Sequence, residues 1–164
     1  MKQGRPKVYF MCGKMAAGKS TYARELAQTN DAVLFIQDEL LDTLYPGEIR
    51  SIDFAKYSAR VRDALSPHVQ HLLTRGISVV LDFPGNTRIQ RRWFREILES
   101  ANVEHELHFI DVPNDLCKRQ LRQRSATLPA GSAWTTDAEF DAITAYFQAP
   151  DEDEKFNVIR QERA

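Results

Sequence analysis

The chain has 164 residues, 43% hydrophobic and 27% charged, which is enough for one conventional core and excludes a disordered or fibrous protein. A formal net charge of −1 gives no global attraction to polyanions, so binding of long nucleic acid would need a local basic groove and is not favoured. No stretch approaches the roughly 20 apolar residues of a membrane span, and the run Val8 to Met11 is too short for a signal-peptide core; the expectation is a cytoplasmic protein without a membrane partner.

Short apolar runs alternate with longer segments of helical period, the pattern of a parallel sheet covered by crossover helices. Val8 to Cys12 reads as the first strand, Lys19 to Gln28 as a helix, and Val33 to Ile36 as the second strand. A short helix follows Asp38 and ends before Pro46-Gly47. Phe54, Val61, Leu65, Val69, Leu72 and Leu73 recur at helical spacing up to Gly76, with Pro67 expected to bend or divide the helix and Ser66 to cap its second half. Ile77 to Leu81 is the third strand. Thr87 to Gln90 is a capping box opening a helix that packs through Ile89, Trp93, Ile97 and Leu98.

Glu104 to Asp111 is the fourth strand, and Asn114 to about Ser125 an arginine-rich helix. Leu128 to Thr135 carries Pro, Gly and Ser and reads as a mobile loop. Thr136 to Glu139 is a second capping box, starting a helix with Phe140, Ile143 and Phe147 on one face. Asp151 to Glu154 reads as a solvated acidic turn before a last strand around Phe156 to Ile159. Cys12 and Cys117 are expected as free buried thiols.

The segment Gly13-Lys14-Met15-Ala16-Ala17-Gly18-Lys19-Ser20 matches G-x-x-x-x-G-K-[ST], the Walker A phosphate loop, at every fixed position. It follows a predicted strand and opens a predicted helix, as the motif requires. Glycines let successive backbone N–H groups point at phosphate oxygens with a helix N-terminus behind them. Lys19 adds a mobile positive charge for the β- and γ-phosphates, and Ser20 a hydroxyl for Mg²⁺. Gly13 to Ser20, with Thr21 after them, are therefore the expected ATP-binding residues; Lys14 occupies a variable position and receives no separate role.

In open α/β sheets ligands gather at the carboxyl ends of the strands, which places Asp38 and Asp82 in the same crevice as the loop. Asp82 reads either as a second Mg²⁺ residue with Ser20 or as a turn former before Pro84-Gly85-Asn86. Asp38 reads either as the general base for an acceptor hydroxyl or as an N-cap, with Glu39 the alternative base. Of the arginines on the fifth helix, Arg122 and Arg124 are favoured over Arg119 as stabilisers of the transferred phosphoryl group. Arg88, Arg91, Arg92 and Arg95 form a basic ridge expected to be solvated, with Arg88 placed to meet an anionic acceptor. The histidines show no metal-ligand spacing, and His68 and His71 are expected partly exposed.

Together the phosphate loop, Gln37-Asp38-Glu39, the run Leu81 to Arg88, and Asp111-Val112-Pro113 before the Arg119 to Arg124 helix resemble the polynucleotide 5′-hydroxyl kinase and zeta-toxin-like small P-loop kinases, AAA-type ATP-binding enzymes. The resemblance implies a three-layer P-loop NTPase fold with about five parallel strands, a single domain over 1–164 with a small helical lid near 114–135, and Mg-ATP as donor. It also implies Asp38 as base and lid arginines on the phosphates. Where polynucleotide kinases carry an arginine three positions after the catalytic aspartate, this chain has Leu41. The expected activity is transfer of the ATP γ-phosphate to a hydroxyl of a small molecule, nucleotide or nucleic acid. The alternative is a nucleotide-binding regulatory module with slow hydrolysis.

Overall fold

The computed structural model of the chain describes residues 4–49, 51–127 and 135–163. Most of the expected loop at Leu128 to Thr135 lies outside the described residues. The described strands are β1 (Lys7–Cys12), β2 (Val33–Ile36), β3 (Val79–Asp82), β4 (Glu104–Asp111) and β5 (Val158–Glu162). They pair in parallel in the order β2-β3-β1-β4-β5, which puts β1 at the centre. The helices are α1 (Lys19–Thr29), α2 (Gln37–Leu44), α3 (Phe54–Thr74), α4 (Arg88–Ala101), α5 (Asn114–Ala126) and α6 (Asp137–Thr144).

Side chains alternate across a strand, so β1 feeds two cores. Val8, Phe10 and Cys12 face Val61, Val69, Leu73, Phe94 and Ile97 of α3 and α4. Tyr9 and Met11 face Ala23 and Ala27 of α1, Leu121 of α5 and Phe140 of α6. Burial on both faces is why β1 and β3 are nearly continuous apolar runs, whereas β4 is buried only from Leu107 to Ile110. Cys12 and Cys117 are both free and buried, and burial pushes the Cys12 thiol up to about 12.

Several local expectations change in the fold. Pro67 does not divide α3, which runs unbroken through it. Ser66 is no cap: its hydroxyl donates to the Arg62 carbonyl at 2.7 Å and accepts from Trp93 Nε1 at 2.9 Å. Packing of Val61, Leu65, Val69 and Leu73 on both sides of Pro67 outweighs the one missing backbone bond. Ile89 is 72% exposed, and Phe94 takes the buried place expected of it. The Thr136 capping box forms completely, whereas Thr87 only accepts from Gln90 N–H, and the Gln90 side chain turns to the Asn86 backbone instead. α6 ends at Thr144, so Phe147 lies beyond it and Ile143 is more than half exposed.

One residue of the acidic turn and one of the basic ridge turn inward, Glu154 and Arg91, while Asp151, Asp153 and Arg92 stay exposed as expected. Arg91 is fully buried and donates to both carboxylate oxygens of Glu154 at 2.8 and 3.0 Å, and to the carbonyls of Gly85 and Gln148 at 2.8 Å each. Arg88 pairs with Asp151 and Asp153. These bonds fasten the stretch before β5 onto the loop that follows β3. That loop has no room for a larger residue at Gly85: an added Cβ would sit 2.5 Å from the Met11 carbonyl oxygen and 2.7 Å from Phe94 Cε2. Gly85→Ala is therefore expected to destabilise the protein by about 1–3 kcal/mol, read as a lower urea midpoint at unchanged m.

Candidate functional site

The turn from β1 into α1 is held by backbone geometry. Ala16 (φ 59°) and Gly18 (φ 91°) both adopt the left-handed conformation, and Gly18 is the N-cap of α1 without a side-chain bond. Gly18 meets that conformation without steric cost, whereas Ala16 holds it against one. The loop therefore leaves the first N–H groups of α1 available at the head of the helix. Lys19 folds back over Gly13, where an added Cβ would lie 3.1 Å from Lys19 Cγ. The Gly13 N–H donates to Asn86 Oδ1 at 2.8 Å, tying the loop to the end of β3.

Above the loop lies a cleft of ≈ 620 Å³ with residues 14–20 along one side and Asp38, Phe54, Asn86, Gln90, Arg124 and Ile143 around it. Sheet register explains why two acids meet here. Ile36 and Asp82 are aligned partners at the carboxyl ends of β2 and β3, and Asp38 follows two residues later. Asp38 is the second residue of α2, and the N-cap is Ile36, so capping is not the role of Asp38. Its surface is reached by solvent at the mouth of the cleft, yet the protein packed around the carboxyl raises its pKa above the ordinary value. Lys19 pulls that pKa down, Asp82 and Asp42 push it up, and Arg124 pulls it down less.

Asp82 is 7% exposed and accepts a hydrogen bond from Ser20 Oγ at 2.7 Å. A hydroxyl and a carboxylate side by side are hard oxygen donors of the kind Mg²⁺ takes together with phosphate oxygens and water. Among the described residues no cluster of three His, Cys, Asp or Glu could form an all-protein metal site. The donor set therefore fits Mg²⁺ carried by a nucleotide.

The remaining candidates separate. Arg124 lines the cleft, whereas Arg122 pairs with Asp137 at the start of α6 and Arg119 is exposed. Glu39 pairs with Arg24 and does not line the cleft. Arg88 pairs with Asp151 and Asp153 of the acidic turn and is not among the residues lining the cleft. Thr21 lines a neighbouring hollow of ≈ 420 Å³ with Gly18, Gln120, Arg124 and Arg163. Lys14, counted with the ATP-binding loop but given no separate role from sequence, donates to the Val112 carbonyl at 3.2 Å and to Asn114 Oδ1 at 2.7 Å, bracing the loop against the root of α5. Of the other residues at these cavities, Gln90 carried only a capping pattern and Asn86 only its place in the run Leu81 to Arg88, while Arg163 carried no sequence signal.

Solved structures share this architecture at low identity. A candidate kinase from Chloroflexus aurantiacus superimposes with a TM-score of 0.75 at 15% identity, covering 96% of this chain and 85% of that one. Kti12 from Chaetomium thermophilum, in complex with ADP-AlF3, gives 0.69 at 17% identity, covering 96% and 89%. The APS kinase CysC from Mycobacterium tuberculosis, in complex with AMPPNP and APS, gives 0.65 at 18% identity, covering 98% and 91%. The fold is therefore that of the P-loop kinases. No curated protein matches the sequence. No helix among the described residues is long and apolar enough to cross a membrane. Residues 8–150, which hold the glycine loop of residues 13–20, Asp38, Asp82 and Arg124, match an AAA domain, and the chain belongs to that family.

Proposed function

We propose that the chain is an ATP-dependent phosphotransferase that moves the γ-phosphate of Mg-ATP to a hydroxyl group. The observation that carries this reading is the convergence of the phosphate loop, the Ser20–Asp82 pair and Asp38 in one cleft at the ends of β1, β3 and β2. Glycine-loop N–H groups and Lys19 would hold the phosphates, and Ser20 and Asp82 would hold Mg²⁺. When bound, that ion neutralises charge on the β- and γ-phosphates.

Asp38 accepts the proton of the acceptor hydroxyl as its oxygen bonds to the γ-phosphorus. The bond from that phosphorus to the β–γ bridging oxygen breaks, and ADP leaves with the electron pair. Lys19 and Arg124 offset the negative charge that spreads over the transferred group. Arg122, held by Asp137, is not given this role, and Glu39 is tied to Arg24, which supports Asp38 as the base.

The acceptor is a small molecule in this reading. Leu41 is 3% exposed and packed in the core, and α2, of sequence QDELLDTL, carries no cation to grip a polynucleotide phosphate. Lys19→Met tests the donor side. Turnover of γ-labelled ATP should fall roughly 10²–10³-fold, with weaker Mg-ADP binding by calorimetry and no loss of folded signal. Wild-type Mg-ADP affinity in that variant would remove Lys19 from the phosphate site.

A further inference from the structure

A second cavity of ≈ 330 Å³ opens beside the main cleft, between the phosphate loop, the start of α4 and residues 142–147. It shares Lys14, Asn86, Gln90 and Ile143 with the main cleft, so the two are contiguous. Its volume is that of a small-molecule site. Its apolar walls include Ile143, Tyr146 and Phe147, and Tyr146 is 77% exposed, a large aromatic surface left open to solvent.

Apart from the Thr87, Thr144 and Tyr146 hydroxyls, the side-chain polar groups of this annex are donors. Asn86 Oδ1 is taken by the Gly13 N–H and Gln90 Oε1 by the Asn86 N–H, both at 2.8 Å. A backbone N–H needs an oxygen opposite it, so these bonds fix the orientation of both amides and leave their NH₂ groups as the free ends. Lys14 Nζ is bonded only to neutral oxygens, those of Val112 and Asn114, and among the described residues no carboxylate pairs with it. Among the described residues no acidic side chain lines the cavity.

An ammonium and two NH₂ groups against apolar walls attract an anionic oxygen group on an apolar body. We propose that the annex binds the acceptor by such a group, a carboxylate or a phosphate, while the acceptor hydroxyl reaches the main cleft. Calling the occupant the acceptor rests on the phosphotransfer reading; the anion preference does not.

The test is a titration of the full-length protein, with and without Mg-ADP, followed by the side-chain amide signals of Asn86 and Gln90 in ¹H–¹⁵N NMR. The probes are benzoate, phenyl phosphate and benzyl alcohol. The anionic probes should shift both amides saturably, with benzyl alcohol about tenfold weaker, and the tighter of the two anions identifies the group preferred. Tyr146→Glu, at an exposed position, should weaken the anions about tenfold and leave benzyl alcohol unchanged, while Tyr146→Gln retains anion binding. Absence of shifts, equal binding of benzyl alcohol, or indifference of the anions to Tyr146→Glu overturns the proposal. If the anions bind as expected but Mg-ADP fails to shift residues 13–20, the annex stands and the phosphotransfer reading falls.

Discussion

Asp38→Asn should lower phosphotransfer by roughly 10²–10⁴-fold, the usual worth of a positioned general base, while Mg-ADP affinity stays at the wild-type level. The amide keeps the shape of the carboxylate but cannot accept the hydroxyl proton. The pH profile carries an independent signature. Packing around Asp38 raises its pKa above the ordinary 3.8, with Lys19 as the largest electrostatic pull downward. The base works deprotonated, so turnover falls as pH drops through that raised value, and Asp38→Asn lacks this acid limb. Lys19→Met removes the downward pull and should shift the limb of its residual activity to higher pH.

Linkage gives a matching sign for stability. The folded protein holds the Asp38 proton more tightly than the unfolded chain does. The stability this contributes is present below the ordinary carboxylate value and lost as pH rises through the raised one. At neutral pH the asparagine variant should therefore melt no lower than wild type. Full turnover by this variant would eliminate Asp38 from the mechanism.

Arg91→Met should cost about 3–5 kcal/mol of stability, the largest structural effect expected in the chain. The Arg91 side chain is 0% exposed and that of Glu154 11%. Truncation leaves the Glu154 carboxylate and the carbonyls of Gly85 and Gln148 without this donor in a site that water barely reaches. Burial alone would raise the Glu154 pKa, but the Arg91 hydrogen bond, the Asp151 backbone N–H and nearby arginine charge outweigh it and hold it below the ordinary value. Its stabilising contribution is therefore present above the ordinary glutamate range and lost as pH falls through the depressed value. The difference between wild type and Arg91→Met, measured by urea unfolding, should be largest near neutrality and narrow in acid. Arg91→Met combined with Glu154→Gln should recover part of the loss, because the unpaired buried charge is gone. A single variant as stable as wild type would show that the pair is not needed.

The first four strands were legible at or near their bounds, the half-exposed edge strand β2 included. β1 and β3 announce themselves as apolar runs because α3 and α4 cover one face and α1 and α5 the other, and β4 does so only through its buried part, Leu107 to Ile110. β5 is an edge strand with a half-exposed pattern, so its apolar content misplaces it by about two residues, toward Phe156. Pro67 misleads for the opposite reason, since its local penalty is real but smaller than the packing of α3 across it. Arg91 and the acidic turn are 60 or more residues apart, and no local pattern distinguishes a buried arginine from its solvated neighbours Arg92 and Arg88.

The sequence by itself determined the candidate phosphate loop, because the motif is written in eight consecutive residues, with backbone freedom, charge and hydroxyl at fixed spacing. It also placed Asp38 and Asp82 at strand ends, since in a parallel sheet the ends of apolar runs share one edge. Only the tertiary structure decided which arginine of α5 stands in the cleft, that Ser20 and Asp82 touch, that Arg91 locks the β3–α4 loop, and that Lys14, Asn86 and Gln90 meet around an annex. Those are contacts between residues dozens of positions apart. Neither helical period nor composition encodes which of several like-charged side chains the packing of a sheet and its helices will turn inward.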